Sequence, residues 1–583
     1  MTEANAAAFA GEVSESSVPG FDAEVDVLVV GTGAGGMTAA LKAHDEGGRV
    51  LVIEKTDQYG GSSAMSSCLL WLPNNHLMPE LGIDDSADDA MTYLRGTTKG
   101  AVAEARLEAF VARGPEMLRY LVDKTQVEVV GLPEYPDYYP GIEGSKPGGR
   151  SVEPAHFNAK LLGDDFLAMR SQNLQMQVMG RLGMTAVEAR MVLTGQPGGI
   201  ALFAKLIFKY CFDIPWRFRS KRDRNPSGGN ALIGMLRLSL RDRDVPIWLK
   251  TPARDLLIDD GRVVGLEVER EGRSFRIRAA RGVIFAAGGF EGSQPMRDKY
   301  LPNPTRAEWT CGNSYNTGEV IEMGIKAGAA VDLMDDAWWG PTSVVPGEEQ
   351  ARMLVIEKSL PGSILVSQQG KRFVNEAAPY VDIVNAMYAH HSDADSCIPA
   401  YFVFDATYRK KYMCGPVLQG SATPDWMVRK FFRDGYMKKA DTLEDLAAQL
   451  GVDADGLRDS VERNNEYART GVDLDFQRGD NIYDQYYGDA KVEPNPCLAP
   501  IEKAPFYAIE AFAGELGTKG GLLVDERARV LTTGGEPIPG LYAIGNCSSA
   551  VMGRSYPGAG ATIGPAATFG YIAALDCLAK NAS

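Results

Sequence analysis

A glycine-rich turn near the N-terminus constrains the fold of this 583-residue chain more than any other feature. The apolar segment Val25–Val30 predicts a strand. It is followed at once by Gly31-x-Gly33-x-x-Gly36 and then by MTAALKAH, which is typical of a helix. Gly31 permits the tight turn, Gly33 lets a pyrophosphate approach the backbone, and Gly36 lets the helix pack on the strand. The segment therefore predicts a dinucleotide-binding unit, with phosphates at the start of the helix.

An acidic residue completes this unit. A second apolar segment, Val50–Ile53, predicts the next strand and ends at Glu54, eighteen residues after Gly36. In dinucleotide-binding folds, an acid at about this distance accepts hydrogen bonds from the ribose. Glu54 is therefore predicted to bind the adenosine ribose.

The rest of the chain favours FAD over NAD as the dinucleotide. A second glycine-rich loop, GGSS at 60–63, stands where an NAD domain would continue with a helix and a strand. Two further apolar strands end on glycine, GVIFAAGGF at 282–290 and IPGLYAIGN at 538–546, and binding by both ends of a chain is characteristic of FAD. No second complete GxGxxG is present, so the hydride is predicted to come from the substrate. The predicted cofactor-binding residues are Gly31, Gly33, Ala34, Gly35, Gly36, Glu54, Lys55, Gly61, Ser62, Ser63, Gly288, Gly545, Asn546 and Ile563.

Composition excludes several classes of function. The formal net charge of −16 argues against nucleic acid as a partner. The eight cysteines are scattered without a CxxC pair and there are five histidines, which predicts a cytoplasmic protein with reduced thiols and no metal site. Residues 1–21 lack the features of a signal peptide and are predicted to form a flexible tail. No apolar stretch reaches the length of about 18 residues that a membrane span needs.

A tyrosine set among glycines near the C-terminus indicates where chemistry takes place. MGRSYPGAGATIG at 552–564 places Tyr556 and Gly560 four residues apart, and other aromatic motifs offer Tyr138, Tyr380 and a Trp-Trp pair at 338–339. Holding a dicarboxylate would take arginines and usually a histidine. A phenol instead donates to a neutral carbonyl, and aromatic walls suit a flat apolar molecule. These residues predict a ketone embedded in a hydrocarbon as the substrate.

The chain resembles the flavoproteins of the fumarate reductase and succinate dehydrogenase type and, within them, the 3-ketosteroid 1-dehydrogenases. The resemblance covers nearly all of residues 22–578, through the motifs GTGAGGMTAA, YGGSSAMS, YPDYYPG, MDDAWWGP, KRFVNEAAPY, LGTKGGL, LYAIGN and SYPGAGATIG. It implies non-covalent FAD, because Ser62–Ser63 lies where the succinate enzymes carry a histidine bonded to flavin. It also implies oxidation of a 3-ketosteroid to the 1,4-dien-3-one. The electron acceptor, which the sequence does not identify, is expected to be a quinone. The four catalytic elements of the family fall on Tyr138, Tyr380, Tyr556 and the backbone of Gly560.

The resemblance also assigns roles to these residues. Removal of the α-proton needs a stabilised enolate, for which the Tyr556 hydroxyl and the Gly560 amide are predicted to form an oxyanion hole. Tyr380 is implied as the base, with a hydrogen bond from Tyr138 lowering its pKa from about 10. Tyr139 stays open as an alternative to Tyr138. Two other functions also stay open: a flavin enzyme for another ketone or enoate, and a flavin-binding protein without turnover.

The order of the motifs predicts an α/β fold. A discontinuous Rossmann-like FAD-binding domain would comprise residues 22–300 and 516–583, since both carry cofactor motifs. An inserted α+β catalytic domain, residues 301–515, would cap the substrate. Within it, residues 441–471 show two amphipathic helical patterns, with Gly451 as the stop between them.

An insert at residues 160–227 looks longer than in the compact members of the family. Part of it, residues 200–224, combines an apolar run with aromatic and basic side chains: Phe203, Phe208, Phe212, Trp216, Arg217, Arg219, Lys221, Arg222 and Arg224. Such a segment is typical of peripheral contact with a membrane on its cytoplasmic side. The alternatives are an internal helix with a solvated charged end and a dimer contact.

Overall fold

The computed structural model describes residues 13, 15–178, 180–193 and 197–579. Its largest element is an eight-stranded sheet with parallel central strands. The spatial order is Arg529–Leu531, Pro537–Ala543, Arg273–Phe285, Ala23–Val30, Val50–Ile53 and Ile247–Trp248. Arg262–Arg270 also pairs antiparallel with Arg273–Phe285, and Ala253–Asp259 pairs antiparallel with Arg262–Arg270. The C-terminal segment joins this sheet because Leu541 pairs in parallel with Val283. The predicted α/β class and discontinuous Rossmann-like arrangement are confirmed.

Close helix packing holds the two halves of the sheet region together. The helix Ala34–Asp45 lies against the C-terminal helix Ile563–Leu578. A methyl group on Gly35 would lie 2.6 Å from a carbonyl oxygen of that C-terminal helix, and one on Gly36 would lie 2.4 Å from the carbonyl oxygen of Gly31. Only glycine allows these approaches, and Gly36 has the packing role predicted for it.

A second sheet, six-stranded and antiparallel, lies in the region predicted to form the cap. Its spatial order is Arg352–Met353, Ala337–Ser343, Phe506–Thr518, Ala400–Phe404 and Ser363–Val366, and Met437–Ala440 also pairs with Phe506–Thr518. The predicted domain boundary between residues 515 and 516 falls inside Phe506–Thr518, which pairs with Ala337–Ser343 as far as Thr518. The two amphipathic patterns form the helices Leu443–Leu450 and Ala454–Thr470, and Gly451 ends the first with φ +69°.

The remaining elements are mostly helices and short strands. The α-helices are Gly61–Met65, Ala87–Thr98, Glu104–Lys124, Ala186–Leu193, Gly199–Phe212, Ile214–Arg217, Gly228–Arg241, Gln294–Tyr300, Glu319–Lys326, Tyr380–His390, Ala406–Lys411, Arg429–Arg433 and Ile482–Tyr486. The 3-10 helices are Pro79–Leu81, Ala159–Ala168, Leu174–Met176, Ala307–Trp309, Glu357–Ser359 and Gly545–Cys547. Small sheets join Leu70–Trp71, Ser151–Pro154 and Val129–Gly131; Gln177–Val178 and Leu182–Gly183; and Val331–Asp332 and Gly521–Leu522. Within the described ranges, no helix has the length and apolar character needed to cross a bilayer.

The insert is helical where its apolar run predicts a helix, but two of its residues are used internally. The helix Gly199–Phe212 contains that run. Trp216 is only 3% exposed, and its Nε1 donates to the carbonyl oxygen of Arg222 at 2.8 Å. The Arg222 guanidinium donates to the carbonyl oxygens of Phe166 and Met169 at 2.8 and 2.7 Å. The expectation that Trp216 and Arg222 face a membrane is wrong, because both pack the insert against its neighbouring segments.

Candidate active site

One continuous cavity of about 1750 Å³ extends from the first glycine turn to the tyrosine-bearing loops. All the predicted cofactor-binding residues line it: Gly31, Gly33, Ala34, Gly35, Gly36, Glu54, Lys55, Gly61, Ser62, Ser63, Gly288, Gly545, Asn546 and Ile563. The four predicted catalytic residues, Tyr138, Tyr380, Tyr556 and Gly560, line it as well. Because a pocket for one small ligand has roughly 300–1,000 Å³, this cavity has room for a dinucleotide and a substrate.

Bare backbone lines the cavity at the start of the helix Ala34–Asp45. Gly31 has φ +112°, and a methyl group there would lie 2.3 Å from the carbonyl oxygen of Ala286. The first turn of the helix Ala34–Asp45 lines the cavity, and the Ala34 amide donates to Ser63 Oγ at 3.1 Å. This bond joins the two glycine-rich loops into one cradle at a helix N-terminus, which suits a pyrophosphate. The residues present fit FAD.

Neighbouring side chains orient Glu54 and Lys55. Glu54 Oε2 accepts from Thr32 Oγ1 at 2.6 Å, and Oε1 accepts from the Thr56 amide at 3.1 Å. These bonds fix the carboxylate at the cavity wall and leave lone pairs for ribose hydroxyls. Lys55 Nζ donates to Glu319 Oε1 at 2.7 Å, so an ion pair sets its position at the wall.

We expect Glu54→Ala to weaken FAD binding about 10- to 150-fold, since a charged hydrogen-bond acceptor contributes roughly 1.5–3 kcal/mol. The measurement is the FAD affinity of the apoprotein, followed by flavin fluorescence. Glu46→Ala is the matched control, because Glu46 pairs with Lys42 outside the cavity. An unchanged affinity in Glu54→Ala would remove Glu54 from the site.

The second glycine-rich loop, residues 60–63, carries hydroxyl side chains. Ser62 lines the cavity, and its Oγ accepts a hydrogen bond from Asn316 Nδ2 at 3.0 Å. Since the resemblance places Ser62–Ser63 where the succinate enzymes carry a histidine bonded to flavin, we expect acid or heat to release all the FAD into the supernatant. Yellow colour that remains on the precipitated chain after washing would contradict this expectation.

Three tyrosines meet at the cavity wall. The Tyr138 hydroxyl donates to the Tyr380 hydroxyl at 3.0 Å, and both residues are buried. The Tyr556 ring stacks on that of Tyr138, with centroids 5.4 Å apart, and lies edge-on to that of Tyr380 at 5.2 Å. Tyr139 is absent from the described cavity wall, and its hydroxyl donates to Asp382 Oδ1 at 3.2 Å. The structure thus places Tyr138, not Tyr139, at the site.

A buried ion cluster fixes the loop in front of Tyr380. The Glu376 carboxylate accepts from Arg372 at 2.7 Å and from Arg478 at 3.1 Å. Although burial raises it, the two arginines hold the pKa of Glu376 below its ordinary value. The loop that contains Glu376 leads directly to Tyr380, which is the first residue of the helix Tyr380–His390.

The loop that carries Tyr556 presents a bare amide at Gly560. Gly560 has φ +100°, and a methyl group there would lie 2.5 Å from the carbonyl group of Leu69. Within the part of the chain that the structure describes, no group accepts a hydrogen bond from the Gly560 amide. The Tyr138 amide donates to the carbonyl oxygen of Pro557 at 3.0 Å, which anchors this loop. A phenol and a bare amide on one anchored turn are a suitable donor set for an oxyanion.

Burial raises the pKa of Tyr138, Tyr380 and Tyr556 above the ordinary value of about 10. A protonated Tyr556 is what an oxyanion donor requires. The hydrogen bond from Tyr138 lowers the pKa of Tyr380, but burial and neighbouring phenols outweigh it. The net direction for Tyr380 is therefore opposite to the lowered pKa expected from the sequence.

Comparison with known proteins identifies the family. A family model described as an FAD binding domain matches residues 26–563. A 3-oxosteroid 1-dehydrogenase of Mycolicibacterium smegmatis is 42% identical over 578 residues, which cover 96% of this chain and 98% of that relative. The chain belongs to the 3-oxosteroid 1-dehydrogenase family. It is an FAD-dependent oxidoreductase.

A solved structure and a second relative show the range of this similarity. The crystal structure of the 3-ketosteroid delta1-dehydrogenase of Sterolibacterium denitrificans in complex with 1,4-androstadiene-3,17-dione is 47% identical, with a TM-score of 0.92. The match covers 95% of this chain and 99% of the chain in that crystal structure. A 4-oxocyclohexanecarboxylate 2-dehydrogenase of Sinomonas cyclohexanicum is 37% identical, over 94% of this chain and 92% of that relative. Similarity alone therefore leaves another ketone open as substrate.

Sequence reasoning missed or underrated three residues of this site. Trp338, predicted only as part of an aromatic pair, donates from Nε1 to Asn546 Oδ1 at 3.1 Å, and its ring lies edge-on to that of Tyr556 with centroids 5.0 Å apart. Tyr135 lines the cavity three residues before Tyr138, so the aromatic motif could have revealed it. Asn316 also lines the cavity, but no local pattern distinguishes it.

Proposed function

We propose that this chain removes hydrogens from C1 and C2 of a 3-ketosteroid, yielding the 1,4-dien-3-one and reduced FAD. The observation that supports it most is the meeting of the Tyr138–Tyr380 hydroxyl pair with Tyr556 and Gly560 in the FAD cavity. Binding FAD alone requires none of these four residues, which argues against a binding protein without turnover. The relative from Sterolibacterium denitrificans holds a 1,4-diene dione, the product class proposed here.

In this reaction the C3 carbonyl oxygen would accept hydrogen bonds from the Tyr556 hydroxyl and the Gly560 amide. The Tyr556 hydroxyl and the Gly560 amide stabilise negative charge as it develops on that oxygen, which makes the C2 proton acidic. Tyr380, as phenolate, accepts the C2 proton, and the Tyr138 hydroxyl stabilises that phenolate through their 3.0 Å hydrogen bond. FAD, when bound, supplies the acceptor for the hydride from C1. Loss of the proton and the hydride forms the new C=C bond.

The cavity lining favours a steroid over a small carboxylate. Trp338, Met353 and Val355 are among its apolar and aromatic lining residues. Arg352 also lines the cavity, but its guanidinium pairs with Glu348 at 2.6 Å. A carboxylate substrate would have to compete with that pair, whereas a neutral hydrocarbon would not.

Anaerobic flavin bleaching tests the proposal. Androst-4-ene-3,17-dione added to the yellow holoenzyme without oxygen should bleach the flavin and yield a product that has lost two hydrogens by mass. The comparison substrate, 4-oxocyclohexanecarboxylate, should leave the flavin oxidised on the same timescale. Bleaching by the carboxylate alone would assign the chain to the other substrate class. Bleaching by neither would favour a flavin-binding protein.

We further propose that the insert contacts a membrane through what we call the insert surface. It consists of the exposed apolar side chains Ile200, Phe208, Phe212, Ile214 and Phe218, of which Ile200 and Phe218 are 88% exposed. Phe203, on the helix Gly199–Phe212, lines the cavity, so this surface adjoins a cavity wall. The same segment exposes the cations Lys205, Lys209, Arg219 and Lys221. Apolar side chains beside cations suit an anionic lipid surface.

A position at the membrane would bring lipid-dissolved molecules to the cavity. Steroids partition into bilayers, and so do quinones, one of which we propose as the electron acceptor. The cysteines are free thiols, which supports the cytoplasmic face of the membrane as the proposed location.

We expect the wild type to co-sediment with anionic vesicles at low salt and less so at high salt, because salt screens the cations. The combined substitutions Phe208→Ser, Phe212→Ser and Phe218→Ser should abolish this binding and leave activity on dissolved steroid intact. Val472→Ser with Leu474→Ser is the matched control, since both residues are exposed elsewhere. A wild type that stays in the low-salt supernatant, or a triple variant that still sediments, would contradict the membrane contact.

A further inference from the structure

Glu291 is a buried carboxyl group that the reaction proposed above does not use. It lies two residues after the pair Gly288–Gly289, in the loop that follows the strand Arg273–Phe285, and is 0% exposed. Its Oε1 accepts a hydrogen bond from Asn316 Nδ2 at 2.7 Å. Its Oε2 has no hydrogen-bond partner within the described residues. A buried oxygen without a hydrogen-bond partner destabilises the charged carboxylate and therefore favours its protonated form.

The Glu291 carboxyl lies directly behind the second glycine-rich loop, residues 60–63. The Asn316 amide nitrogen that it accepts from also donates to Ser62 Oγ at 3.0 Å, and both Asn316 and Ser62 line the cavity. One side chain therefore separates the carboxyl from the cofactor space.

Gly517 lies between the same carboxyl and a second cavity residue, Asn546. A methyl group at Gly517 would lie 3.5 Å from Glu291 Oε1 and 2.6 Å from Asn546 Nδ2. Asn546 accepts a hydrogen bond from Trp338, which packs on Tyr556. Glu291 is thus close to the end of the cavity where the tyrosines lie, which is where the reacting ring of the flavin must be for the proposed reaction.

Among the described residues, no cation forms an ion pair with the Glu291 carboxylate, and Arg297, which attracts its charge, is shared with Glu515. Arg297, from the helix Gln294–Tyr300, directs its guanidinium to Glu515 at 2.7 Å and reaches only the backbone carbonyl of Glu291. Glu515 itself adds a like charge, and burial raises the pKa of Cys311, so that thiol is neutral. Burial first, and then Glu515, raise the pKa of Glu291 to about 7. Its charge state can therefore respond to a new charge nearby at neutral pH.

We propose that Glu291 is a positioning residue for the redox reaction that takes up one proton when the bound flavin is reduced and releases it on reoxidation. Two electrons and one proton arriving as a hydride leave the flavin with one additional negative charge. Glu291, which lies behind Asn316, binds a proton from solvent and so compensates the added negative charge. Glu291 releases this proton to solvent when the electron acceptor reoxidises the flavin. The proposal rests on the FAD reduction of the proposed function but not on the steroid.

The substitution Glu291→Gln removes the titratable group while it keeps the shape of the side chain. Glutamine keeps the carbonyl oxygen that accepts from Asn316 and matches the size of the glutamate, but it cannot take up a proton. Asp223→Asn is the matched control, because burial also raises the pKa of Asp223 and that residue is not among the described cavity-lining residues.

The test is the reduction potential of bound FAD against pH, measured with reference dyes and no steroid between about pH 7 and 9, where the oxidised protein holds Glu291 mostly ionised. The slope of the reduction potential against pH should correspond to one more proton per two electrons in the wild type and in Asp223→Asn than in Glu291→Gln. Equal slopes in all three proteins would overturn the proposal. Because the reductant is chemical, this outcome is independent of whether steroid bleaches the flavin.

Infrared difference spectra of the wild type provide a second measurement should Glu291→Gln fail to fold. At pH 8, reduction should remove a carboxylate band and add a protonated carboxyl band that shifts in D2O. Reduction without any carboxyl band would overturn the proposal.

Discussion

Tyr380→Phe should lower the rate of flavin reduction by steroid roughly 10²- to 10⁴-fold, which is the usual contribution of a general base. The phenyl ring can still pack against the rings of Tyr138 and Tyr556, whose centroids lie 5.5 and 5.2 Å away. Steroid binding should therefore persist while proton removal fails. Anaerobic stopped-flow absorbance measures the rate, and the perturbation of the oxidised flavin spectrum measures binding.

The pH dependence of the same rate follows from the pKa of Tyr380. The base acts as phenolate, and burial raises the pKa of this phenol well above its ordinary value. The reactive fraction is then small at neutral pH, and the wild-type rate should increase with pH through pH 9. Tyr139→Phe is the matched control and should keep most of the activity, because its hydroxyl contacts Asp382 outside the cavity wall. Wild-type-like rates in Tyr380→Phe would place the base elsewhere.

Tyr556→Phe should reduce the same rate by about 10²- to 10³-fold, the usual cost of losing one oxyanion donor. This substitution tests the donor more cleanly than a change at Gly560, where any side chain would meet the backbone of Leu69. The rate of flavin reduction at saturating steroid is the measurement. The expected loss lies in that rate rather than in binding, since charge develops on the oxygen only as the reaction proceeds.

Tyr483→Phe is the matched control for the oxyanion donor. Tyr483 is buried beside Tyr138, with ring centroids 4.7 Å apart, but its hydroxyl has no hydrogen-bond partner among the described residues. Removing that hydroxyl should leave the rate nearly unchanged. A Tyr556→Phe enzyme as fast as Tyr483→Phe would eliminate Tyr556 as an oxyanion donor.

The cofactor end of the cavity could be predicted from the sequence because its chemistry is local. Gly31, Gly36 and Glu54 act within one strand–helix–strand unit, where spacing alone fixes their geometry. The tyrosine end is different, because Tyr138, Tyr380 and Tyr556 come from distant parts of the chain. Only the resemblance to a family brought them together before the structure did.

Other features depend on contacts that no local pattern encodes. The choice between Tyr138 and Tyr139 depends on which ring faces the cavity. Because both residues are tyrosines, the residue type does not indicate which one that is. Trp216 and Arg222 match a membrane-binding composition, yet their polar groups find internal partners. The pKa of Tyr380 could not be inferred either, because it is set by burial among other phenols.

Hydrogen exchange at C2 of the steroid tests the central claim, that Tyr380 removes the C2 proton of a ketone held by Tyr556 and Gly560. Fully reduced holoenzyme cannot accept a hydride, so incubation with androst-4-ene-3,17-dione in anaerobic D2O isolates the proton step. The account predicts deuterium at C2 with the wild type and only the uncatalysed exchange rate with Tyr380→Phe. Equal exchange by the two proteins, or none by the wild type, would contradict it.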